Sequence, residues 1–154
     1  QTGPVAWPME RRIAWHVPIP PDVDRMQEAA TRMIGQHDFS AFRSAQCDAA
    51  SPVRNLRRVT VEVERPGILA VEVEAGGFLR NMVRIVVGTL VDVGSGRHPP
   101  GWVSELLEHG DRRQGGVTAP AKGLFLKEVQ YPREPLQDGV PSPAFPARRL
   151  RDAG

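Results

Sequence analysis

The chain has 154 residues, enough for one domain with a real core, and its 40% apolar and 25% charged residues are those of an ordinary globular protein. A net charge of only +2 excludes a polycation, although the cations are nearly all arginine, with Lys122 and Lys127 the only lysines. Arginine's planar fork suits phosphates and carboxylates, so the composition is compatible with RNA, while codon bias in a GC-rich genome would give the same excess. Cys47 is the only cysteine, which excludes an intrachain disulfide and favours a reducing, cytoplasmic setting. No apolar run approaches the roughly 18 residues of a membrane span, and "QTGPVAWPME" has no signal-peptide core. A start at Gln1 rather than Met points to a fragment of a longer protein.

Residues 1–21 are punctuated by Pro4, Pro8, Pro18, Pro20 and Pro21, so "RRIAWHV" is expected as a short strand and not a helix. A helix follows in "PDVDRMQEAATRMIG", with Asp22 as N-cap, an apolar face of Val23, Met26, Ala30, Met33 and Ile34, and Gly35 past its end. "QHDFSAFRSAQCDAASPVRN" reads as a loop. "RRVTVEVE" and "ILAVEVE" alternate apolar and polar residues about "RPG", which predicts a hairpin. Folding at Pro66 sets Val59, Val61 and Val63 opposite Val73, Val71 and Leu69. The other face pairs Arg58 with Glu74 and Thr60 with Glu72. That face is mainly acidic, a poor RNA surface, and no RNP1-like stretch exists.

A very apolar helix is expected from about Phe78 to Val93 in "GGFLRNMVRIVVGTLVDVG". At 100° per residue its apolar residues cover more than half the circumference, leaving a narrow stripe of Arg80, Asn81, Arg84 and Gly88. Such a stripe fits either a crevice or snorkelling arginines in solvent. A short helix in "PPGWVSELLEHG" comes next, bounded by proline and Gly110. "DRRQGGVTAPA" reads as a loop and "KGLFLKEVQY" as a final strand. Residues 132–154, rich in proline and ending in "ARRLRDAG", read as a loosely ordered tail. The fold class is α+β, a mainly antiparallel sheet with helices on one face. Residues 1–131 form the domain and 132–154 the tail.

Simple catalytic patterns are missing. His16, His37, His98 and His109 are scattered, with no H-E-x-x-H or C-x-x-C spacing, so no metal is expected. "HDF" at 37–39 reads more readily as a turn than as a catalytic pair, and Cys47 has no evident base. No phosphate-binding glycine fingerprint is present.

"GQHDFSAFRSAQC", "SPVRNLRRVTVE", "GGFLRNMVRIVVGTLVDVGSG" and "APAKGLFLKEVQY", in this order and spacing, resemble the C-terminal half of the bacterial tRNA pseudouridine synthases of the TruA family. The resemblance covers about residues 15–131. It implies isomerisation of uridine to pseudouridine in the tRNA anticodon stem-loop. The glycosidic bond is cut, the uracil turns, and C5 is joined to the ribose after the nucleotide leaves the stack. No cofactor or metal is implied. Two pseudosymmetric halves form the family's cleft, and the family is dimeric.

The family's catalytic aspartate lies in an R-T-D-x-G-V-H-A-like motif, absent here, as is the strand carrying its stacking tyrosine. Asp38, Asp48 and Asp92 lack the motif and are not substitutes. The resemblance carries two positions over. Arg84 matches the arginine that pairs with the catalytic aspartate, and Leu124 matches the apolar residue packed on the target base. Arg43, Arg54, Arg80 and Lys122 fall in matched motifs and are candidate phosphate contacts, with structural salt bridges the competing reading. Arg84 is then expected without its natural carboxylate, meeting water, an ion or a substitute acid. An isolated fragment of this kind would be inactive. A stand-alone RNA-binding module and a protein-interaction domain built on the apolar helix and "WVSELL" are the alternatives.

Overall fold

Asp22 opens the first helix, its side chain accepting from the Arg25 N–H at 3.1 Å, and α1 spans Val23–Thr31. The cap satisfies a donor that the first helical turn leaves unpaired. In the computed structural model, which describes residues 1–131, β1 (Gly35–Asp38), β2 (Val53–Arg65), β3 (Ile68–Ala75), α2 (Met82–Gly94) and α3 (Trp102–His109) follow in order. The strands form one three-stranded antiparallel sheet in the order β1–β2–β3, so the fold is α+β. All of these elements belong to a unit spanning Gln1–Leu124. A second unit starts at Phe125, and its described residues carry no regular structure. No helix among the described residues is long and apolar enough to cross a membrane.

The hairpin has the expected register, with Val59 opposite Val73, Val61 opposite Val71 and Val63 opposite Leu69. Pro66 fixes one turn dihedral, and Gly67 takes φ +76°, which a side chain would resist. On the outer face Arg58 reaches Glu72 at 3.0 Å and Glu74 at 3.5 Å, and Arg57 reaches Glu74 at 2.9 Å. These pairs are solvent-exposed and contribute little individually. On the inner face Val59 and Val61 are buried with Met26, Ala29, Ala30 and Met33 of the α1 region and with Ile85, Val86 and Leu90 of α2. β1 pairs with β2 only from Val53 to Leu56, leaving the rest of that β2 edge open. Gln27 of α1 fills part of the gap: its Oε1 accepts from the Val61 N–H at 2.8 Å and its Nε2 donates to the Val59 carbonyl at 3.4 Å. Helix and sheet are thus joined by hydrogen bonds as well as apolar packing.

Four sequence expectations are corrected. Residues 11–17 form no strand: a 3-10 turn spans Glu10–Arg12, and only Val17 makes an isolated bridge, with Thr2. It is the residues before this segment that meet the hairpin turn, where Thr2 N–H donates to the Gly67 carbonyl and Glu10 pairs with Arg65, and Val17 bonds only to the N-terminal residues Gln1 and Gly3 and not to the sheet. Conversely, the expected loop contains β1, whose entry needs Gly35 at φ +108° to turn the chain back from α1. Helix α2 starts at Met82, not Phe78, because Asn81 is left-handed at φ 63° and Phe78 stays exposed. Finally, 122–131 forms no strand, since no other described strand pairs with it. The tail expected at 132–154 lies outside the described residues.

Candidate functional site

The part of the narrow stripe that lies on α2, Arg84 and Gly88, is covered by the chain itself. Residues 115–119 run antiparallel along the helix, with Gly116 against Thr89, Val117 against Gly88 and Ala119 against Arg84. The approach is possible only because glycines meet there. A Cβ on Gly88 would lie 1.7 Å from the Val117 carbonyl oxygen, and one on Gly116 would lie 2.5 Å from Thr89 Cα. At the C-terminal end of α2 the buried Asp92 accepts from Arg97 Nη1 at 2.6 Å and from the Val117 N–H at 3.4 Å. Asp92 is therefore engaged structurally, and Asp38 accepts from the Ser40 N–H in a turn at 2.7 Å.

Arg84 stands at the other end of this strap, half-buried. Its backbone carbonyl accepts from the Ala119 N–H at 3.1 Å, and its Nε donates to the Ala119 carbonyl at 2.6 Å. Its Nη1 donates to Asn81 Oδ1 at 3.0 Å. Among the described residues it forms no ion pair, so a backbone carbonyl and a side-chain amide are its partners in place of an acid. The strap then leads through Lys122, whose Nζ donates to the Arg11 carbonyl at 3.2 Å, to Leu124, which is 50% exposed.

The other candidate residues lie apart from this centre. Arg80 is not on α2 but precedes its Asn81 cap, and is exposed. Its Nη1 donates to the Gln46 carbonyl at 3.2 Å, and its own carbonyl accepts from the Ser44 N–H at 3.0 Å. It therefore sits with the 44–47 loop, where Arg43 is near enough for its charge to act on Cys47. Backbone hydrogen bonds from Ala49 and then Arg80, with a smaller contribution from Arg43, hold the Cys47 thiol below the ordinary thiol range. Arg54, opposite His37 in the β1–β2 register, folds back onto the carbonyls of Ser51 and Val53 at 2.9 and 2.6 Å. Sequence reasoning missed Asn81 as a partner of Arg84, although asparagine is among the side chains best tolerated in the left-handed region. It also missed the role of Gly88 and Gly116, for which small residue size was the available signal.

Residues 29–132 match the family model described as tRNA pseudouridine synthase. The tRNA pseudouridine synthase A of Pelobacter propionicus is 48% identical over 129 residues, which cover 84% of this chain and 52% of that relative. The enzyme of the same name from Myxococcus xanthus is 44% identical over 135 residues, covering 88% of this chain and 49% of the relative. For Syntrophotalea carbinolica the corresponding values are 46% over 137 residues, 89% and 54%. The chain spans about half the length of the curated relatives it matches. The strap, the Arg84 end of α2 and the hairpin all lie inside the matched region, and the chain belongs to the tRNA pseudouridine synthase family.

Proposed function

We propose that this chain is the C-terminal domain of a tRNA pseudouridine synthase that isomerises uridine in the anticodon stem-loop, working without cofactor or metal as a cytoplasmic homodimer. Its domain would span 1–131 and its tail 132–154. The observation that carries the reading is the family match over residues 29–132, joined to an Arg84 guanidinium that has no acid partner among the described residues. The catalytic carboxylate would come from the remainder of the protein, and Arg84 would face it. An arginine within a few ångströms holds a cleft aspartate ionised, lowering its pKa by roughly 1–3 units, so the carboxylate is ready to act at the ribose or base. Leu124 retains exposed apolar surface that a flipped base would cover, and an aliphatic wall there excludes water from the reacting atoms. Arg43, Arg54, Arg80 and Lys122 would position the RNA backbone. Arg54, Arg80 and Lys122 each donate one tip N–H to a backbone carbonyl and keep others to offer, and among the described residues none of the four pairs with a carboxylate.

Release of tritium from 5-tritiated uridine in tRNA tests the reading. The full-length protein should release it, Arg84→Ala in that protein should lower the rate sharply, and the 154-residue chain alone should release none. Release by the isolated chain would overturn the assignment of the catalytic group to the missing portion. Full activity of the Arg84→Ala enzyme would overturn the role given to Arg84.

A further inference from the structure

We propose that Asn81 is the positioning residue for Arg84, holding its guanidinium so that one chosen edge meets a carboxylate. Three features of Asn81 converge. It is the one non-glycine residue with positive φ among the described residues, at φ 63° and ψ 5°. That conformation is disfavoured for L residues, least for asparagine and aspartate. It occupies the N-cap of α2, yet its side chain makes no capping hydrogen bond there. An N-cap asparagine ordinarily accepts from a backbone N–H of the first turn. Here Oδ1 accepts instead from Arg84 Nη1 at 3.0 Å, while the Asn81 backbone carbonyl still takes the Ile85 N–H at 3.0 Å. The unfavourable backbone and the forgone cap are thus both tied to one contact with Arg84. Local strain of this sort collects where geometry must be held.

The second restraint is the strap. Nε of Arg84 donates to the Ala119 carbonyl, which removes the Nε–Nη2 side of the fork as a bidentate surface. Among the described residues both N–H groups on Nη2 and one of the two on Nη1 have no partner, so a carboxylate is met from the Nη1–Nη2 end. A carboxylate accepts two parallel N–H bonds at such an edge. Asn81 and Ala119 therefore select the direction from which the acid is met. This inference rests on the proposed function only for what Arg84 faces, not for how Arg84 is held.

The test separates these two parts. In the ¹⁵N-labelled 154-residue chain, a guanidinium restrained at Nε and Nη1 rotates slowly about its Nε–Cζ bond, so distinct Nη signals are expected for Arg84, identified by their loss in Arg84→Lys. Asn81→Gly keeps a residue suited to positive φ but removes Oδ1, and should merge these signals with little change in the backbone amide spectrum. Asn81→Asp restores an acceptor and should restore the separation. In the full-length enzyme, Asn81→Gly should lower kcat by about 10- to 100-fold with KM for tRNA nearly unchanged, as expected when a catalytic group is misaligned. Merged Arg84 signals in the wild-type chain, or separate ones in Asn81→Gly, would overturn the proposal whatever the variants' stability. Wild-type kcat in Asn81→Gly beside an inactive Arg84→Ala would also overturn it. If Arg84→Ala were itself fully active, the proposed role of Arg84 would fall, while the restraint read by NMR would stand.

Discussion

Replacing Gly88 by alanine sets helix propensity against tertiary packing, with opposite signs. Within an exposed helix the change would stabilise by about 1 kcal/mol. Here the new Cβ would lie 1.7 Å from the Val117 carbonyl oxygen and 2.8 Å from its carbon. An ordinary carbon–oxygen contact is about 3.3 Å, so the strap must withdraw by roughly 1.5 Å. That movement breaks the bonds that seat it: Ala119 N–H to the Arg84 carbonyl at 3.1 Å, Arg84 Nε to the Ala119 carbonyl at 2.6 Å, and the long Val117 N–H contact with Asp92 at 3.4 Å. At about 1 kcal/mol net per hydrogen bond, their loss outweighs the gain in propensity and leaves the variant about 2 kcal/mol less stable. For a chain of this size that corresponds to a fall in Tm of about 4–8 °C. Thermal unfolding followed by circular dichroism measures it, with Gly101→Ala as control because a Cβ there meets nothing within 4 Å. The control should stay within about 0.5 kcal/mol of the parent. A Gly88→Ala protein as stable as the parent, or more so, would refute the close approach of strap and helix.

Two other outcomes are expected. Arg43→Ala and Arg80→Ala should each reduce the slope of log affinity against log salt for tRNA by about 1 if the residue contacts a phosphate, and an unchanged slope would mark that arginine as structural. Cys47 titrates below the ordinary thiol range in the folded chain, through backbone hydrogen bonds from Ala49 and Arg80. Because the folded pKa is the lower one, the resulting stabilisation is full above the unfolded thiol pKa and is lost as pH falls through the folded value. The midpoint of the pH dependence of iodoacetamide alkylation should therefore be lower for the native chain than for the urea-unfolded chain, and coincident midpoints would contradict this.

The elements legible in the sequence were those whose pattern is local. The β2–β3 hairpin was read to its register because valines alternate at period two about Pro66 and Gly67, and each partner lies a few residues away. Asp22 and Gly110 marked helix ends because capping depends on adjacent residues. Arg84 was singled out by resemblance, and its surroundings had no local signal. β1 is only four residues long and mostly polar, so it exists because β2 offers an edge, not because its own residues demand a strand. The segment 122–131 shows the converse, a strand-like pattern that meets no described partner.

The sequence by itself determined the fold class, the hairpin register, the helix starts at Asp22 and near Pro100, and a family-specific order of motifs. Tertiary structure decided that the arginine stripe is not one stripe, with Arg84 half-buried under a strap and Arg80 exposed. Asn81 in the left-handed region starts the helix only after Arg80, which sits with the 44–47 loop. Gly88 and Gly116 admit a distant strap onto α2, and that strap supplies the carbonyl that holds Arg84. Periodicity reports which face of a helix is apolar, but what covers the remaining face depends on contacts far apart in the chain, which no local pattern encodes.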